Sequence, residues 1–148
     1  MSRRAAIAMS AAEVTAFLEQ ERVMTCATLG RDGWPHLMPL WYVVRDGELW
    51  AWTYAKSQKI RNLERDARCT LQIEAGDSYL ELRGAMLKCA AAIHRELEVV
   101  RGVGQDLAVR YGGADAHVDE RQAAKRVALQ FIVNDVASFD HRKLVPEH

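Results

Sequence analysis

Apolar and polar residues change period several times along the chain, and each change marks an element. Val14, Phe17 and Leu18 recur at helical spacing behind Ser10-Ala11-Ala12-Glu13, a capping-box pattern, so a helix is expected to about Glu21. VMTCATL (23–29) is rich in β-branched residues and reads as a strand. The glycines of GRDG (30–33) turn the chain into WPHLMPLWYVV (34–44), a second strand. Asp46-Gly47 is a hairpin signal before ELWAWT (48–53). KSQKIRNLERD (56–66) returns to helical spacing, with Ile60, Leu63 and Ala67 on one stripe and Ser57 as N-cap. Strand patterns follow in CTLQIEA (69–75), where Cys69, Leu71 and Ile73 share a face, and in YLELRGAMLKC (79–89). Helical spacing then runs through Ile93, Leu97, Val100, Gly104, Leu107 and Tyr111. After the loop GGADAHV, a short helix near Glu120–Lys125 leads into VALQFIVNDVASFD (127–140), where Val127, Leu129, Phe131 and Val133 alternate.

The pattern predicts a mainly β, α+β domain: about six antiparallel strands with crossover helices, hence a β-barrel. Pro35 and Pro39 interrupt the second strand's donors. Those positions must lie at an edge, a bulge or a break, and a break at Pro39 would free main-chain groups for a ligand.

The helix 56–66 carries its charges in the unfavourable sense. Lys56, Lys59 and Arg61 crowd the N-terminal end, and Glu64 and Asp66 the C-terminal end. The helix dipole prefers the reverse by roughly 0.3–1 kcal/mol per charge. One explanation is a solvated helix with an Arg61–Glu64 pair. The other is an anion site, in which free helix N–H groups, the Ser57 hydroxyl and the lysine ammoniums converge on a phosphate. Trp34, Trp41, Trp50 and Trp52, beside Tyr42 and Tyr54, could form core, a subunit interface or the wall of a flat cofactor's site.

Composition narrows the classes. The 148 residues suit one domain, 49% of them are apolar, and 20 basic residues balance 20 acidic ones. A neutral chain is a poor nucleic-acid binder and favours self-association. No apolar run reaches the roughly 20 residues of a membrane span, and the stretch after Arg3-Arg4 is too short for a signal peptide. Cys26, Cys69 and Cys89 form no CxxC pair and read as buried reduced thiols of a cytoplasmic protein. The histidines show no metal-ligand spacing, and no nucleophile triad is visible. These residues describe a protein that binds a planar anionic cofactor and leaves the chemistry to it.

From about Glu13 to Leu144 the order of parts resembles the pyridoxamine 5′-phosphate oxidase-like split β-barrel family. TYAKSQK is similar to the oxidase phosphate motif T-N-Y-x-S-R-K: Thr53, Ser57 and Lys59 align, and Gln58 stands where the motif has Arg. The Arg and Lys that oxidases place in the preceding strand fall near Leu37 and Tyr42. Lys59, Asn62, Leu63, Asp66 and Arg68 match the K-x-x-NL-x-x-D-x-R block of the actinobacterial branch that uses the deazaflavin coenzyme F-420, and FDHRKL resembles the tail of one subgroup.

The resemblance implies a homodimer with cofactor sites between subunits and no catalytic side chain. Lys56, Ser57, Lys59 and Asn62 would hold the coenzyme phosphate. Met38, Pro39, Leu40 and Trp41, with Thr53, would position the ring. His141 and Arg142 would reach the coenzyme's acidic tail or the substrate pocket. The implied activity is hydride transfer from reduced F-420 to an unsaturated small organic acceptor. An FMN-dependent oxidoreductase and a non-catalytic flavin or tetrapyrrole carrier are the alternatives.

Overall fold

The computed structural model describes residues 2–144. Helices α1 (Arg3–Ile7) and α2 (Ala11–Gln20) precede strands β1 (Met24–Leu29), β2 (Pro35–Leu40), β3 (Val43–Arg45) and β4 (Glu48–Tyr54). Helix α3 (Gln58–Arg65), β5 (Arg68–Ala75), a 3-10 turn (Tyr79–Glu81) and β6 (Arg83–His94) follow. Helices α4 (Leu97–Gly112) and α5 (Glu120–Ala123), β7 (Arg126–Asp140) and a second 3-10 turn (His141–Leu144) complete the order. Among the described residues no helix is long and apolar enough to cross a membrane.

The strands form one antiparallel sheet of order β2-β1-β5-β6-β7-β4-β3. It has seven strands where the pattern led us to expect six, because WPHLMPLWYVV supplies two. Its halves, β2 and β3, lie at opposite edges of the sheet. Only three Cα steps join Leu40 to Val43, a reach of about 11 Å. The sheet must therefore curl until its two edges nearly meet, which makes a barrel with a split.

The break falls at Trp41–Tyr42, not at Pro39. Gly30 N–H donates to Trp34 O at 3.0 Å. Counting alternately from that bond, His36, Met38 and Leu40 are hydrogen-bonded to β1, while the main chain of Pro35, Leu37 and Pro39 faces the free edge. Neither proline removes a ladder bond there.

Inward-facing residues alternate as expected. Met24, Cys26, Leu71, Ile73, Leu129 and Phe131 fill the barrel, with Ile60 and Leu63 of α3 packed on them. All three thiols are free and buried. The neighbouring thiols, Cys26 first and then Cys89, together with burial push the Cys69 pKa up and keep it an unreactive thiol. A second core lies outside the barrel, where Val100, Val103 and Leu107 of α4 cover Val43, Trp50 and Trp52.

Gly104 permits that contact. A Cβ there would lie 2.3 Å from Trp52 Cζ3 and 2.8 Å from Val118 Cγ2. Gly104→Ala is expected to cost roughly 1–3 kcal/mol of stability and to shift the tryptophan emission. A thermal melt and an emission spectrum that both match the wild type would contradict this packing.

The crossover is tied down by α4. Arg110 donates to the carbonyls of Leu18, Glu19, Glu21 and Tyr42. The Tyr111 hydroxyl lies 2.7 Å from Arg22 O and 2.9 Å from Tyr42 O, with one proton to give to either, and accepts from Tyr42 N–H at 3.1 Å. Tyr42 is fully buried, and burial pushes its phenol up to about 12, so it remains a donor to Leu18 O at 2.7 Å.

Three boundaries differ from expectation. Residues 79–81 form a 3-10 turn, since the positive-φ turn at Gly76 closes its Cβ position onto Glu81 O. Ile93 belongs to β6, paired with Leu129, so α4 begins later. Val133 is exposed, because a register shift at Lys88/Cys89 ends the simple alternation in β7.

Candidate functional site

The split holds the candidate site. Strand β3 covers β4 only opposite Glu48–Trp50, which leaves Ala51–Tyr54 without a neighbour on that side. Across the gap stands the free edge of β2. A cavity of about 650 Å³ lies between them. Met38, Pro39, Leu40 and Trp41 form one wall, and Trp52, Thr53 and Tyr54 the other. Ser57, Gln58 and Lys59, the start of α3, close one end.

Ser57 caps α3 as its spacing predicts, accepting from Ile60 N–H at 3.4 Å. This leaves its own O–H free to donate. Lys59 is 5% exposed. Its Nζ meets Thr53 Oγ1 at 3.4 Å, and among the described residues it has no ion pair. Burial therefore lowers its pKa. Among the described residues no carboxylate lines the cavity. A buried ammonium without a counter-charge, at the positive pole of a helix, fits an incoming anion. The Arg61–Glu64 pair of the solvated-helix reading does not form: Glu64 accepts from Arg95 at 3.2 Å, and Asp66 binds Arg68 at 2.7 Å.

Seven of the eleven residues expected at the site line this cavity: Met38, Pro39, Leu40, Trp41, Thr53, Ser57 and Lys59. The other four do not. Lys56 is exposed beside the cap. Asn62 is fully buried behind the helix start, where its amide donates to Thr28 Oγ1 at 3.0 Å and accepts from Gln58 at 2.9 Å and from Arg65 at 3.3 Å. His141 and Arg142 lie beyond the far end of the 15-residue β7. His141 Nδ1 is 2.6 Å from Tyr79 O, and Arg142 grips Asp140 with two parallel bonds of 3.0 and 2.8 Å. The Arg142 guanidinium holds the Asp140 carboxyl below its ordinary range.

Sequence reasoning missed several lining residues, among them His36 and Arg126, whereas Trp52, weighed there as a cofactor wall, does line the cavity. Arg126 pairs with Tyr54 in register, and its guanidinium lies 4.2 Å from the Tyr54 ring centroid and 4.7 Å from that of Trp52. Only the β4–β7 pairing brings it there. Strand alternation could have found His36, which shares the inner face with Met38. Its Nδ1 is the one buried side-chain polar atom among the described residues with no hydrogen-bond partner. Such an orphan costs about 1–3 kcal/mol. The outer wall is stiff: Trp41 stacks on Tyr111 at 4.3 Å and 3°. Trp34, by contrast, is 75% exposed at the β1–β2 turn and is not among the residues lining this cavity.

Comparison with known proteins agrees with this architecture. Among solved structures, a conserved hypothetical protein from Mycobacterium tuberculosis is 41% identical, with 100% of this chain and 96% of that chain covered and a TM-score of 0.88. An F-420 reductase superposes with a TM-score of 0.69 at 20% identity, over 82% of this chain and 93% of that one. The heme storage protein HutZ from Vibrio cholerae gives 0.68 at 13% identity, over 88% and 96%. The last two likenesses are of fold alone. No curated protein matches the chain. The family described as pyridoxamine 5′-phosphate oxidase matches residues 10–140. With that match and the split barrel itself, the chain belongs to the pyridoxamine 5′-phosphate oxidase-like family.

Proposed function

We propose that the protein is an oxidoreductase that uses reduced coenzyme F-420 to transfer hydride to an unsaturated small organic acceptor. The observation that carries this reading is Lys59, a buried cation without a counter-charge in a cavity walled by aromatic and apolar side chains of β2 and β4. That combination suits a flat ring bearing a phosphate. When bound, the reduced deazaflavin supplies the hydride.

The chain's own residues hold and orient. Lys59, the Ser57 hydroxyl and the first N–H groups of α3 take the phosphate. The rigid segment Met38–Trp41 and Thr53 fix the ring plane. The aromatic walls exclude water from the transferring hydride. Lys56, at the rim of the same helix start, adds long-range attraction for the anion. The match of Lys59, Asn62, Leu63, Asp66 and Arg68 to the deazaflavin branch supports F-420 over FMN. Asn62 serves by bracing the helix start rather than by touching the phosphate.

The functional unit is a homodimer. Met86, Ile132, Val133 and Val136 present apolar side chains to solvent on the central strands β6 and β7, where a second copy would cover them. In that unit His141 and Arg142 would serve the partner's site. Cytoplasmic residence accords with the three buried free thiols.

The test is a titration of apo protein with F-420 and FMN in parallel, read by fluorescence. Saturable F-420 binding is expected. Tight FMN binding with no F-420 response would overturn the coenzyme assignment. The FMN reading is favoured by the family's oxidase description, and it predicts a yellow protein on purification. Tight binding of a flavin or tetrapyrrole with no turnover of any acceptor would identify a carrier.

A further inference from the structure

His36 stands opposite Thr28 in the β1–β2 ladder and lines the split together with Lys59 and Gln58. It also lines a smaller adjoining cavity of about 470 Å³, shared with Gln58 and Asn62, so it forms part of the partition between the two. Its Nδ1 is buried and unpartnered.

The neighbouring hydrogen bonds show what the helix start lacks. Gln58 occupies the place of the motif's arginine, but its amide N–H₂ donates to Asn62 Oδ1 at 2.9 Å, down its own helix. The chain positions that carry basic residues in the oxidases do not compensate. Leu37 pairs with Ala27 on the outer face and is 56% exposed. Tyr42 is fully buried and bonded to α2 carbonyls. Among the described residues Lys59 is the one buried cation lining this cavity; Arg126 also lines it, with its guanidinium over the Tyr54 and Trp52 rings. A phosphate monoester carries up to two charges and several acceptor oxygens, so the Lys59 ammonium, the Ser57 hydroxyl and the first N–H groups of α3 leave room for a further donor.

We infer that His36 is a further side-chain donor to the ligand's phosphate, beside Lys59 and Ser57. Its Nδ1–H meets a phosphate oxygen from the β2 side while Lys59 holds the group from the α3 side. The assignment rests on the phosphate reading above, and it makes the cradle bridge both sides of the split. Ligand binding would then pin β2 to α3 through one anion.

Three variants test it: His36→Phe, which keeps a ring without a donor; His36→Asn, whose amide nitrogen lies near the Nδ1 position; and Lys59→Met. Each is titrated with whichever of F-420 and FMN the wild type binds, and with the phosphate-free parent of that coenzyme. His36→Phe is expected to weaken the phosphorylated ligand by roughly tenfold or more and to leave the parent unchanged. His36→Asn should recover most of the loss. Equal weakening of both ligands would assign His36 to the ring, and unchanged binding of the phosphorylated ligand would remove it from the site; either overturns the inference. If the wild type binds neither coenzyme, the coenzyme reading fails while His36 is still tested by inorganic phosphate. Millimolar phosphate should then shift the His36 ring ¹⁵N signals in the wild type but not in Lys59→Met, and no shift overturns the inference.

Discussion

Lys59→Ala is expected to weaken coenzyme binding by roughly 1.5–3 kcal/mol, or about 10- to 150-fold, the range for a hydrogen bond to a charged group. The apo protein should lose little stability or gain some. The reason is that Lys59 is 5% exposed with only Thr53 Oγ1 near its ammonium, so the folded apo chain carries an uncompensated charge. Lys59→Met separates the two effects, because it keeps the apolar stem and removes only the cation. It should melt above the wild type without ligand and below it with saturating ligand.

The pH dependence follows from the direction of the shift. Burial lowers the folded pKa of Lys59, so the unfolded chain holds more protons between the folded value and the unfolded one of about 10.4. Stability therefore rises with pH through that window. The penalty is present in full below the folded pKa and is gone above about 10.4. The stability difference between apo Lys59→Met and apo wild type should shrink as pH rises through this range. A difference constant with pH, or unchanged binding in Lys59→Ala, would show that the ammonium is not the group that receives the anion.

Arg110→Ala should give the largest loss of stability, roughly 2–4 kcal/mol. One guanidinium satisfies carbonyls of Leu18, Glu19 and Glu21 at 3.2, 3.1 and 2.6 Å, and that of Tyr42 as well. It also lies 4.5 Å from the Tyr42 ring centroid. No water-sized adjustment replaces a fork that joins α2, α4 and the β2–β3 crossover at once. For a chain of this size the melting temperature should fall by roughly 5–15 °C. Arg110→Lys should recover little, since a point charge cannot span these acceptors. Trp41 leans on the same knot through Tyr111, so ligand affinity should fall with stability. A melting temperature within a degree or two of the wild type would refute the bracing role.

Much of this was legible in the chain. The Ser10/Glu13 capping box forms, with Ser10 N–H donating to Glu13 Oε1 at 2.9 Å and Glu13 N–H to Ser10 Oγ at 3.1 Å. Cys69, Leu71 and Ile73 share the barrel interior, and Ser57 caps α3. These features depend on spacing within a few residues. What was not legible depends on partners distant in sequence. The β2–β3 break is decided by α4 side chains some 70 positions later, Tyr111 Oη among them. Ile93 and Leu97 keep helical spacing, yet pairing with β7 extends β6 to His94. Arg126 enters the site only because Tyr54 is its ladder partner. The reversed charges of α3 were visible, but burial separates them: Lys59 faces the cavity while Lys56 stays in water.

The strand order has a consequence for how the cavity comes into being. Strands β1, β2, β5 and β6 pair with one another, whereas the β3–β4 hairpin joins the sheet only through β7, the last strand of the chain. Leu49 must find Phe131 and Thr53 must find Val127 before either wall of the split has an opposite. Such distant contacts form slowly. On a ribosome, the ligand site would therefore close only once β7 has emerged, and until β7 docks Lys59 need not be buried at all.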